Sequence, residues 1–75
     1  MNEQQHKLEI LSRIHVLRAE MRITQEQLAN EIGVNRATIV AIEKGNYNPS
    51  LELAFRIARF FKTDINHVFS IKEEK

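Results

Sequence analysis

Most residues able to do chemistry in this chain lack the company that chemistry needs. There is no cysteine, which removes thiolate nucleophiles, thiolate metal sites and disulfides. His6, His15 and His67 are scattered, with no acidic or histidine partner at metal-ligand spacing, so neither a metal nor a cofactor is expected. No glycine-rich phosphate loop and no Ser-His-Asp grouping in a recognisable context is present, so an enzyme is not expected either. What remains is Arg36, near the start of the stretch GVNRATIVAIEKG. A guanidinium presents its N–H donors as a planar fork that fits paired acceptors, such as a phosphate or the O6 and N7 edge of guanine. At about 100° per residue, Ile39 and Ile42 share one helix face, supported by Val34, and Arg36, Ala37, Val40, Ala41 and Lys44 lie opposite. That outer face has too little polarity for a solvated helix. Two explanations stand: the residues are plain helix formers, or the face is made to press against something. For Arg36 the plain alternative is a solvated arginine, although a positive charge at a helix N-terminus opposes the macrodipole.

A helix face acts only if a domain holds it in place. Seventy-five residues suffice for one domain, near the size where a core buries roughly 60% of the unfolded surface. With 43% apolar and 28% charged residues, the composition is that of a folded globular chain and not of a disordered tail. The apolar runs are far too short to span a bilayer, and the opening MNEQQHK lacks the apolar segment of a signal peptide. A cytoplasmic location, with no membrane partner, is expected. The formal net charge of +1 neither demands nor excludes an anionic partner. Nucleic-acid binding would therefore rest on a few placed side chains and helix ends, doubled by dimerisation.

The punctuation predicts five helices, over about 12–22, 25–32, 36–44, 51–61 and 64–69. Ile10, Ile14, Leu17 and Met21 recur at helical spacing. Either Ser12 caps the first helix behind a short extended arm, Glu9 to Leu11, or the helix starts near Gln5 and Leu8 joins its apolar face. Thr24-Gln25-Glu26-Gln27 is a capping-box pattern. Leu28, Ala29 and Ile32 follow on the inner face, and Gly33 ends the second helix. Asn35 caps the third, and Gly45 stops it. Ser50 caps a fourth helix with a broad stripe of Leu51, Leu53, Ala54, Ile57, Ala58 and Phe61. Thr63 or Asp64 starts a short last helix with Ile65, Val68 and Phe69 inward, and SIKEEK is a frayed end or a brief strand. In domain terms, 1–11 is an arm or helix extension, 12–70 the domain and 71–75 a tail.

The run TQEQLANEIGVNRATIVAIEKGNYNPSLELAFRIARFF resembles the phage-repressor and Cro-like helix-turn-helix regulators, also called the xenobiotic-response-element family. Fixed-spacing elements carry the likeness: Thr24-Gln25-Glu26-x-Leu28-Ala29, Gly33-Val34, Arg36-x-Thr38-Ile39, Ile42-Glu43-x-Gly45, Asn48-Pro49-Ser50 and Leu53-Ala54. The resemblance implies an all-α, compact, five-helix, lambda-repressor-like DNA-binding domain, with a short terminal strand or arm allowed for, whose third helix enters the major groove. It also implies a phosphate contact for Gln25, backbone approach for Lys44, Asn46 and Tyr47, and an ion pair between Arg18 and Glu43. The bland alternatives are that Gln25 is only the first residue of a capped helix and Lys44 a plain C-terminal charge.

A helix about 10–12 Å across fills a groove roughly 12 Å wide, so small residues favour close approach. Arg36 is the main base-reading candidate, with Asn35, Ala37, Thr38, Val40 and Ala41 beside it. In this family position 37 is commonly a polar reader such as glutamine, and here it is alanine. The last helices carry more apolar surface than a small domain easily covers, which points to a homodimer interface using Phe60, Ile65, Val68, Phe69 and Ile71. The function expected is sequence-specific binding of double-stranded DNA at a near-palindromic operator, as a homodimeric transcriptional regulator acting as a repressor. The alternative is a protein-interaction module of antitoxin or anti-regulator type, built on the same fold and binding a protein partner.

Overall fold

A computed structural model describes residues 8–73. The order is β1 (Ile10–Ser12), α1 (Ile14–Met21), α2 (Gln25–Ile32), α3 (Arg36–Lys44), α4 (Leu51–Phe60), α5 (Ile65–Val68) and β2 (Phe69–Ile71). The expected five-helix fold is present, joined by one antiparallel ribbon in which Ile10 faces Ile71, Leu11 faces Ser70 and Ser12 faces Phe69.

That ribbon decides where the first helix starts. The Arg13 N–H donates to the Val68 carbonyl at 2.8 Å, so the chain remains committed to β2's neighbourhood through residue 13. The first helical bond runs from Leu17 N–H to the Arg13 carbonyl at 3.0 Å, and the Ser12 hydroxyl accepts from Ile14 N–H at 3.0 Å. Thus α1 begins at Ile14 and not at 12. Leu8 is exposed and non-helical, so it does not join an α1 face; Gln5 and His6 lie outside the described residues. Phe69, expected in the last helix, belongs to β2 because its backbone pairs with Ser12.

The helix ends follow side-chain chemistry. The Thr24 hydroxyl accepts from Gln27 N–H at 3.0 Å and Gln27 Oε1 accepts from Thr24 N–H at 2.8 Å, completing the capping box. Ser50 accepts from Leu53 N–H, and Asp64 from Asn66 N–H. Gly33 and Gly45, at φ +90° and +81°, end α2 and α3 in the left-handed region, where a Cβ is strained.

Ile14, Leu28, Ile39, Ile57 and Val68 are fully buried and draw all five helices onto one core. Burying each contributes roughly 1.5–3 kcal/mol against conformational entropy. Two residues of the expected apolar stripes lie outside it. Met21 is exposed at the end of α1, and Leu51 is 71% exposed in the first turn of α4, which overhangs the core. Among the described residues, no helix is long and apolar enough to cross a membrane.

Candidate nucleic-acid interface

The turn between α2 and α3 spans Gly33, Val34 and Asn35, and Val34 packs against the core. Because Ile39 and Ile42 are held inward, α3's orientation is set and its opposite face looks outward. On that face Arg36, Ala37 and Lys44 are exposed, while Val40 and Ala41 are half-buried. Arg36 has no ion-pair partner among the described residues, and a backbone approaching over the two alanines meets only methyl groups. Asn46 and Tyr47 are exposed just beyond the helix.

Asn35 and Thr38 are partly committed elsewhere. Asn35 Oδ1 accepts from the Thr38 N–H at 3.0 Å and from the Thr38 hydroxyl at 2.9 Å. The Asn35 amide nitrogen remains free to donate to a base edge or phosphate. Thr38, whose hydroxyl hydrogen is in use, is left to accept, for example from a base amino group.

Behind this face lies a polar junction of three helices. Arg18 Nε donates to Glu43 Oε2 at 2.7 Å and Nη2 to Oε1 at 3.2 Å, a two-point grip, while Nη1 donates to the Ile23 carbonyl at 3.0 Å. Gln25 Nε2 donates to Glu43 Oε1 at 3.1 Å. Partial burial works to raise the Glu43 carboxyl. The hydrogen bonds from Arg18 and Gln25 and the charges of Arg18 and His15 outweigh it, so its pKa lies below the ordinary value. A second staple joins α4 to the turn, where Arg56 Nη2 donates to the Ile32 carbonyl beside Gly33. Neither the Gln25 contact nor the Arg56 staple was legible in the sequence, since partners 18 and 24 residues apart leave no local periodicity.

The residues expected at a subunit contact separate. Val68 is fully buried in the core where α5 packs against α4, and cannot face a partner. Phe60 lies in a different hollow, with Met21 and Ile23. Ile65, Phe69 and Ile71 do share one apolar groove of about 650 Å³, completed by Ile10, Pro49 and Leu51. Leu51, the most exposed of these, belongs by periodicity to the apolar stripe of α4, yet it lies outside the core.

Two helices joined by a three-residue turn, the second held outward by its apolar back, define a helix-turn-helix DNA-binding protein. Comparison agrees: the helix-turn-helix family's profile matches residues 14–68, and the chain belongs to that family. An HTH-type transcriptional regulator of Archaeoglobus fulgidus is 52% identical over 64 residues, spanning 85% of this chain and 90% of that protein. The cryptic phage CTXphi transcriptional repressor of Vibrio cholerae is 40% identical over 62 residues, 83% of this chain and 56% of its own length. Among solved structures, a DNA-binding protein from Bacteroides fragilis superposes with a TM-score of 0.73 at 28% identity, covering 81% of this chain and 98% of that one. The chain is thus a regulator-type DNA-binding domain and not an enzyme.

Proposed function

We propose that the protein is a homodimeric repressor that places α3 in the major groove of each half of a near-palindromic operator. The carrying observation is the outer face of α3, where Arg36, with no ion-pair partner among the described residues, stands beside alanine and valine. Arg36 reads guanine, the methyls of Ala37, Val40 and Ala41 meet thymine methyls, and Asn35 and Thr38 add polar contacts at the helix start. Gln25, Lys44, Asn46 and Tyr47 contact the phosphate backbone and set the register. The relative from Vibrio cholerae, a transcriptional repressor, supports repression.

The second subunit lies on the groove of Leu51, Ile65, Phe69 and Ile71, since these apolar side chains adjoin in one hollow and a contiguous exposed apolar patch is the mark of an interaction surface. A net charge of +1 gives little general attraction to DNA, so joining two reading heads is what makes binding tight.

Selection of bound duplexes from a random pool, with the mass in solution measured alongside, tests this reading. It expects an inverted repeat with half-sites roughly 34 Å apart, and a dimeric mass. Failure to enrich any sequence favours the protein-interaction module instead. Leu51→Glu is expected to shift the mass to monomer and weaken operator binding on the order of 100-fold, with the helical circular dichroism retained. A variant that stays dimeric removes the groove from the interface.

A further inference from the structure

We propose that Glu43, which itself faces away from the DNA, is a positioning residue that orients the Gln25 amide toward a phosphate; this rests on the DNA-binding reading above. The geometry begins with which way the amide must point. A carboxylate only accepts hydrogen bonds, so the nitrogen end of the Gln25 amide, and not its oxygen, turns toward Glu43 Oε1, 3.1 Å away. One hydrogen of Nε2 is thereby consumed. The other is left without a protein acceptor among the described residues, on a half-buried side chain at the first position of α2.

Glu43 is itself immobile. Its side chain is 10% exposed, and Arg18 grips both its oxygens, at 2.7 and 3.2 Å. The carboxylate is a fixed anvil, anchored by α1 and carried on α3, against which a residue of α2 is held. Gln25 is the first residue of α2, the end at which a helix leaves backbone N–H groups unpaired, so the remaining Nε2 hydrogen belongs to the same turn as those donors. A phosphate oxygen meeting this corner is met by donors, with the amide oxygen held out of the way by the Glu43 contact. Because Glu43 belongs to the reading helix, the phosphate contact is also tied to the register of α3.

Glu43→Gln removes the directional constraint while nearly keeping the shape. The new side chain can present either end of an amide, so Gln25 is free to flip and offer its oxygen to the phosphate. A double-mutant cycle on affinity for the enriched operator duplex, measured well below the melting temperatures of all variants, tests the role. Gln25→Ala and Glu43→Gln are each expected to weaken binding roughly tenfold, and the double variant to be no weaker than the worse single. A purely structural Glu43 would lower binding by the same factor whether or not Gln25 is present, so additive losses overturn the proposal. Should Glu43→Gln fail to fold, Glu43→Asp, which keeps the charge and withdraws the oxygens by one methylene, replaces it in the same cycle.

A second readout needs no variant. In the free wild-type protein the two Gln25 side-chain amide protons are expected to exchange with solvent at different rates, the slow one bonded to Glu43, and the fast one to shift on adding the duplex. Equal fast exchange overturns the proposal. Absence of DNA binding by the wild-type chain overturns both this role and the reading beneath it, whereas intact wild-type binding with additive losses overturns the role of Glu43 alone.

Discussion

Arg36→Ala is expected to cut discrimination between operator and random DNA by roughly 30-fold or more while leaving the fold intact. The expected size follows from the contact. A bidentate arginine on guanine contributes about 1–3 kcal/mol of discrimination in each half-site, so the two subunits of the proposed dimer together would lose about 2–6 kcal/mol, on the order of 30-fold at the low end. Few other residues on α3 can replace it, because Ala37 and Ala41 carry no donor and Thr38 has its hydrogen engaged with Asn35. The side chain is exposed and has no ion-pair partner among the described residues, so removing it costs the fold little. Arg36→Lys separates base reading from phosphate contact. A lysine keeps the charge but not the planar fork, so it should restore general DNA affinity without restoring discrimination. Unchanged discrimination in Arg36→Ala removes Arg36 from the reading role.

Arg18→Met is expected to destabilise the fold by about 3 kcal/mol, a large share of the 5–15 kcal/mol typical of a small domain. The pair is largely shielded, with side chains 19% and 10% exposed, and losing the arginine leaves Glu43 with Gln25 as its remaining side-chain donor. The Ile23 carbonyl loses its partner as well. Pairing Arg18→Met with Glu43→Leu should recover much of the loss, since the cost lies in a stranded charge and not in the pair's net value. Urea unfolding at fixed protein concentration measures both, because the stability of the proposed dimer would depend on concentration. Single variants costing less than about 1 kcal/mol would show the junction to be well solvated. The pH dependence gives a further check. The folded Glu43 has its pKa lowered, so its contribution is complete above the ordinary carboxylate range and disappears as pH falls through the lower folded value. In Arg18→Met that acid-side loss should shrink, because Arg18, whose hydrogen bond and charge do most to hold the pKa down, is gone, leaving Gln25 and His15 against the effect of burial.

Helix number, caps and the outer face of α3 were legible because they depend on neighbours within one turn. Thr24, Asn35 and Ser50 bond backbone groups three residues on, and Ile39 and Ile42 lie within one turn of each other on α3. The start of α1 was not legible. It depends on a strand some sixty residues later in the chain, whose pairing with Ile10–Ser12 consumes the backbone that a longer helix would have used. Apolar periodicity put Val68 inward, where it lies, and Leu51 on a stripe it does not share; the surplus of apolar surface is what assigned Val68 to a subunit contact. An apolar stripe shows which residues share a helix face, but not how far along the helix the core extends. Leu51 overhangs the core's edge and Val68 sits at its centre.

From the sequence by itself came the absence of a chemical apparatus, the helix-turn-helix spacing, Arg36 as the reading candidate and the expected Arg18 and Glu43 pair. The tertiary structure alone decided which apolar residues are left for a partner and which way the Gln25 amide faces. The physical reason is range. Caps and helix faces are settled by hydrogen bonds and packing within a few residues, whereas burial and amide orientation are set by side chains such as Glu43 and Val68, which distant parts of the chain bring into place.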